Sequence, residues 1–180
     1  GSFCKKLNKQ LVREKLGWDP SDFTVLLMGG AEGMAPLENI ANALRISGMS
    51  LQLAIVCGRN DRLLSDLKAL DWPIQTHIYG FVDNVSELIR GADVVTTKAG
   101  PSTVMEVLNC GRPLLLCGAI PGQEDGNVSF VLENNLGWWT PCPDDVLYRL
   151  RLLQEMDAGI LDRAFTSIDD LLVPKSASTV

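Results

Sequence analysis

The sequence predicts an α/β domain, a Rossmann-like parallel sheet of about six strands with helices on both faces. From about Phe23 onward, short apolar runs alternate with longer amphipathic stretches, the rhythm of βαβ units. Two runs, Val25-Leu26-Leu27-Met28 and Leu114-Leu115-Leu116, are apolar at every position, as strands covered on both faces are. Glycine or proline punctuates most of the junctions between these segments.

The elements follow in order. A helix is expected over residues 5–16, ended by Gly17, and a strand over 23–28. Pro36 suits the first turn of a helix over 37–47, with Gly48 as its stop. A strand at 51–57 leads to a helix at 62–70, capped by Asn60 or Asp61 and finished before Trp72-Pro73. After a strand at 74–79, Asp83 opens a short helix to Arg90. A strand at 93–97 precedes a helix from Pro101 to Cys110, closed by Gly111. Then come a strand at 113–117, a helix at 127–134, a short strand at Gly137-Trp138-Trp139 and a helix at 144–156. A last helix is expected over 160–172, and a loose polar tail over 175–180.

Composition bounds the function. The chain has 180 residues, enough for one domain with a substantial core. A net charge of −6 lacks the basic face that displaces counterions from nucleic acid, so no nucleic-acid partner is expected. Local anion binding through helix N-termini and backbone amides is still open. The five cysteines are widely spaced, with no CxxC pair, and read as buried reduced thiols in a cytosolic compartment. A single histidine, His77, leaves no histidine-rich metal site. No apolar run reaches the length of a membrane span, and no signal peptide is seen. The start at Gly1-Ser2 reads as an excised piece of a longer protein.

A parallel sheet of this kind places its ligand at the carboxyl ends of the strands, so the loops there are the places to search. The first is Gly29-Gly30-Ala31-Glu32-Gly33-Met34. It is neither a P-loop nor a GxGxxG, and on spacing alone a tight turn explains it equally well. The second is Lys98-Ala99-Gly100-Pro101-Ser102-Thr103, where Gly100 permits a sharp turn and the amides of Ser102 and Thr103 point at an anion on the helix end. Glu106, one turn on, lies on the same side. The plainer alternative makes Ser102 and Thr103 simple caps and Glu106 a solvated surface residue. The third loop, 118–127, is long and polar, and Gln123, Glu124 and Asn127 in it suit a polyhydroxylated ligand. Asn127 also fits a plain helix cap. Phe81, after the third strand, either packs on a nucleobase or faces the core. Trp72, Trp138 and Trp139 read as packing residues. Together the three loops describe a pocket for a nucleotide and a sugar.

Four strings in order resemble the C-terminal domain of GT-B glycosyltransferases, in the family of the monogalactosyldiacylglycerol synthases, the bacterial diacylglycerol glucosyltransferases and the lipid II-forming GlcNAc transferase. They are Leu27-Met28-Gly29-Gly30-Ala31-Glu32-Gly33-Met34, Val56-Cys57-Gly58-Arg59-Asn60, Thr97-Lys98-Ala99-Gly100-Pro101 and Gly122-Gln123-Glu124-x-Gly126-Asn127-Val128. The resemblance implies a UDP site made by Gly30, Phe81, Val82, Gly100, Ser102, Thr103 and Glu106. Phe81 and Val82 would flank the uracil, Ser102 and Thr103 the diphosphate, and Glu106 the ribose hydroxyls. Gln123, Glu124 and Asn127 would read the donor sugar, galactose or glucose. It further implies an inverting transferase with no cofactor and no bound metal. The acceptor is a lipid, diacylglycerol being the expected one. The catalytic base and the lipid contact would come from an N-terminal domain absent here, so residues 1–174 would be the donor half of a protein peripheral to a membrane. Ser102 departs from a frequent glycine, and after about Asp144 the resemblance fades. A donor subunit of a split UDP-GlcNAc transferase, half of a UDP-sugar 2-epimerase and a non-catalytic α/β module remain as alternatives.

Overall fold

Alternate residues of the first strand, β1 (Thr24–Met28), feed two separate cores, and that alternation sets the architecture. Val25 and Leu27 enter a core with side chains of α2 (Leu37–Ile46), α3 (Asp61–Lys68) and α7 (Pro143–Glu155). Leu26 and Met28 enter a second core with α4 (Val85–Gly91), α5 (Pro101–Asn109), α6 (Asp125–Glu133) and Trp18, which follows α1 (Ser2–Leu16). Helices therefore cover both faces. Each fully buried leucine on these faces stabilises the fold by about 1.5–3 kcal/mol. The computed structural model describes residues 2–29, 36–156 and 161, with side chains from residue 8 onward.

The remaining strands are β2 (Gln52–Val56), β3 (Thr76–Tyr79), β4 (Val94–Lys98), β5 (Leu114–Gly118) and β6 (Gly137–Trp139). All pair in parallel, in the order β3-β2-β1-β4-β5-β6. The expected α/β class and the six strands are found, each strand within two residues of its predicted start. β6 lies tight against β5 because Gly137 has no side chain. A Cβ there would stand 2.8 Å from Leu114 Cβ and run into the Leu114 carbonyl oxygen.

Several local expectations are corrected. Pro36 is the N-cap of α2, not a residue of its first turn, and Ile40 N–H donates to its carbonyl. Asn60, not Asp61, caps α3, its side-chain oxygen accepting from Leu63 N–H at 3.0 Å. α4 begins at Val85 instead of Asp83. α6 begins at Asp125, two residues early, because the turn before it is already closed by Gln123 and Glu124 N–H groups on the Ile120 carbonyl. Trp72 and Trp138 pack against the first core as expected, but Trp139, on the edge strand, is 41% exposed. The helix expected over 160–172 and the tail at 175–180 lie outside the described residues, apart from Leu161, which is buried in the first core.

At the amino ends of the strands a buried ion cluster fastens α1 to the sheet. Asp93 accepts from Lys9 Nζ at 2.7 Å, Arg13 Nη2 at 2.8 Å and Thr24 N–H at 2.8 Å. Arg13 also donates to the carbonyls of Gly91, Pro20 and Asp22. Burial pushes the Asp93 carboxyl up, but the Arg13 and Lys9 charges and these hydrogen bonds outweigh it and hold it below its usual range.

Candidate functional site

The strand order turns about β1 and β4, and the crevice beyond their carboxyl ends is the switch point where sheets of this type take ligands. Pro36, which precedes α2, and the loops following β4 and β5 meet there. A Cβ on Gly118 would touch Lys98 Cβ and Pro36 Cδ, each at 4.0 Å, and one on Gly100 would touch Glu124 Oε1 at 3.7 Å. Pro36 ends the first glycine-rich loop, while Gly30 within that loop lies outside the described residues.

The first turn of α5 is built for an anion. Its N-cap, Gly100, is extended, Pro101 occupies the opening position, and no side chain caps the helix. The alternative in which Ser102 and Thr103 serve as caps is therefore not what is seen. Their amides belong to the first turn, where helix geometry offers no carbonyl acceptor, and they carry the positive end of the helix dipole. Val104, Val107 and Leu108 anchor the inner face of α5, leaving Ser102 and Glu106 exposed and Thr103 half-buried.

The loop between β5 and α6 turns at Gly122, whose φ of 78° is costly for any residue with a Cβ. Its polar side chains divide by what they touch. Gln123 is exposed, and its side chain makes no hydrogen bond among the described residues. Glu124 is 5% exposed, with Oε1 accepting from Lys98 Nζ at 3.1 Å and Oε2 from Ile120 N–H at 2.9 Å. A carboxylate offers about four lone-pair directions, so both oxygens keep accepting capacity. Asn127 is no cap: it sits inside α6, and its Nδ2 donates to the Ala99 carbonyl at 2.8 Å. Glu124 and Asn127 thus tie the sugar-type loop to the end of β4.

A second cluster lies at the ends of β2 and β3, where a Cβ on Gly80 would stand 3.8 Å from the Gly58 carbonyl oxygen. Phe81 does not face the core. It is 60% exposed, and the Arg59 guanidinium lies 4.9 Å from its ring centroid, a cation–π arrangement. Val82 is half-buried against the second core. The structure thus brings Gly100, Glu124 and Asn127 into direct contact with one another's loops, with Ser102 and Thr103 on the adjoining helix turn. Phe81 and Val82 stand at the neighbouring strand ends.

Two residues were quoted in the motifs without a role: Arg59, which covers Phe81, and Lys98, which pairs with Glu124. Lys98 and Glu124 are 26 residues apart and meet only because β4 and β5 are neighbours, so no local spacing marks the pair. Burial pushes the thiols of Cys57 and Cys117 up to about 11, which keeps them protonated and inert. Among the described residues, no cluster of three or more His, Cys, Asp or Glu side chains is placed to hold a metal, and no helix is long and apolar enough to cross a membrane.

Residues 24–127, more than half of the chain, match the glycosyltransferase family 28 C-terminal domain. Monogalactosyldiacylglycerol synthase 1 of Arabidopsis thaliana is 40% identical over 153 residues, covering 81% of this chain and 29% of that protein. The chain therefore spans less than a third of that relative's length. Among solved structures, MurG of Acinetobacter baumannii superposes with a TM-score of 0.64 at 18% identity, over 89% of this chain and 52% of MurG. Anabaena Alr3699/HepE, solved in complex with UDP-glucose, gives 0.61 at 13% identity, over 92% of this chain and 50% of its own. Both likenesses concern the fold, in which this sheet answers to about half of a GT-B molecule. The chain belongs to glycosyltransferase family 28, as a C-terminal domain of that family.

Proposed function

We propose that this domain binds a UDP-sugar in the crevice at the carboxyl ends of β1, β4 and β5, as the donor half of an inverting glycosyltransferase. The observation that carries the reading is the convergence of Pro36 and the loops after β4 and β5 beside the uncapped first turn of α5. The diphosphate lies on the Ser102 and Thr103 amides, with Gly30 and Gly100 allowing close backbone approach. Phe81 and Val82 flank the uracil, and Glu106 accepts from the ribose hydroxyls. Gln123, Glu124 and Asn127 face the hexose. Galactose or glucose fits this reading, and the name of the Arabidopsis relative favours galactose transferred to diacylglycerol.

In the reaction an acceptor hydroxyl oxygen attacks the anomeric carbon from the face opposite the diphosphate. The new glycosidic bond forms as the bond to the diphosphate oxygen breaks, with inversion at that carbon. This domain's part is to take up the negative charge on the leaving UDP through the α5 amides and dipole, in the manner of an oxyanion site, with no cofactor or metal. The base that accepts the hydroxyl proton, the lipid contact and the peripheral attachment to a cytoplasmic-side membrane surface belong to an N-terminal half. Titration calorimetry tests the reading: UDP binds the 180-residue chain and ADP does not. Equal binding of the two, or none, overturns it.

A further inference from the structure

Lys98 is the one basic side chain inside the motif at the end of β4, and the sheet brings the next loop beside it. Between Thr97 and Lys98 the pairing of β4 with β5 slips, so that Thr97 lies opposite Leu116 but Lys98 lies opposite Gly118. The extra residue, Cys117, is on β5, and such a bulge bends the strand that carries it, here just before the chain leaves β5 for α6. The ammonium then meets Glu124 Oε1 at 3.1 Å, with Lys98 23% and Glu124 6% exposed in their side chains. The second Glu124 oxygen closes on Ile120 N–H. Asn127 adds a parallel tie from α6 to the Ala99 carbonyl, one residue beyond Lys98.

We propose that Lys98 is a positioning residue for the donor sugar: it acts through Glu124 to hold the loop between β5 and α6 against the turn that opens α5. This rests on the UDP-sugar reading above. A part-buried charge-assisted hydrogen bond of this kind fixes geometry more firmly than a neutral one. Without the ammonium, Glu124 is a desolvated carboxylate with one partner, and the loop that carries Gln123 loses its anchor. The diphosphate needs only the α5 amides, so it does not feel the change. Lys98 is thereby distinguished from a phosphate-binding cation, which would serve UDP and UDP-sugar alike.

The test uses the full chain with Lys98→Met, Lys98→Arg, Glu124→Gln and the Lys98→Met/Glu124→Gln double variant. Calorimetry with UDP and with UDP-galactose is expected to show Lys98→Met weakening UDP-galactose about tenfold, the loss of one charged hydrogen bond. UDP itself stays within about twofold. Lys98→Arg restores most of the sugar affinity, and the double variant is no worse than the poorer single one. Equal losses for UDP and UDP-galactose, unchanged affinity for both, or losses that multiply in the double variant overturn the proposal. Hydrogen exchange at the Ile120 amide in the ligand-free chain gives an independent reading. Exchange is faster in Lys98→Met than in the wild type and in Lys98→Arg; no difference overturns the latch. Should the wild type bind neither uridine ligand, the UDP-sugar reading fails, and the Ile120 amide alone decides whether Lys98 holds the loop.

Discussion

Glu106 shows how much a single side chain contributes once its helix is in place. It is exposed on α5, one turn beyond Ser102, and the helix turns its apolar residues Val104, Val107 and Leu108 inward. Among the described residues no hydrogen bond or ion pair holds its carboxylate, so a substitution there tests binding without disturbing packing. If the carboxylate accepts from the ribose hydroxyls, Glu106→Ala weakens UDP by about 1.5–3 kcal/mol, at least a tenfold rise in Kd. The same variant loses the preference of the wild type for UDP over 2′-deoxy-UDP, while its melting temperature is unchanged. A uniform drop for both nucleotides would point to a general electrostatic effect instead. Phe81 belongs to the same scale. Its exposure says that it is not a core residue, and the Arg59 guanidinium lies over one face of the ring.

At the scale of the element, a buried ion cluster fastens α1 to the sheet. The Lys9–Asp93 and Arg13–Asp93 pairs bind it to the amino end of β4, and Arg13 spends its remaining donors on three carbonyls. The folded state favours the ionised Asp93, so its contribution is complete above the ordinary carboxyl value of 3.8 and is lost as pH falls through the lower folded-state value. Asp93→Asn removes the carboxylate that faces two buried cations and costs about 3–5 kcal/mol at neutral pH. Urea midpoints measured from pH 6 down to pH 3 should therefore fall for the wild type and fall less steeply for Asp93→Asn. This cluster was not legible in the sequence, because Lys9, Arg13 and Asp93 are joined only where α1 meets the amino ends of the central strands. The strands were legible, since Leu114-Leu115-Leu116 or Val25-Leu26-Leu27-Met28 buried on both faces leaves no other reading. Helix starts were less so. α6 begins at Asp125 because the Gly122 turn, closed on Ile120, sets its direction before the obvious cap Asn127 is reached. The site residues stood out as loops at strand ends, but which of them stand exposed and which are held by the loop's own bonds, as with Gln123 against Glu124, depends on partners from another strand.

For the whole molecule, ligand binding and folding are one equilibrium. The proposed site draws on the ends of β1, β3, β4 and β5 and on α5 and α6, so it exists only when both halves of the sheet are assembled. The unfolded chain has no such constellation and does not compete for UDP. UDP must then stabilise the domain by RT ln(1 + [UDP]/Kd), which is about 2.7 kcal/mol at a hundred times Kd. For a chain of this size that raises the melting temperature by about 5–10 °C. The shift should grow with the logarithm of UDP concentration, and ADP at the same concentrations should leave the melt where it was. Glu106→Ala moves the UDP curve to higher concentration without lowering the ligand-free melting point, whereas Asp93→Asn lowers the ligand-free point and leaves the size of the UDP shift intact. The two ends of the sheet would thus separate in one set of melts, the amino end setting stability and the carboxyl end setting ligand response. A melting point that stays fixed at UDP concentrations saturating in calorimetry would mean that the nucleotide is held somewhere that survives unfolding, and not in this crevice.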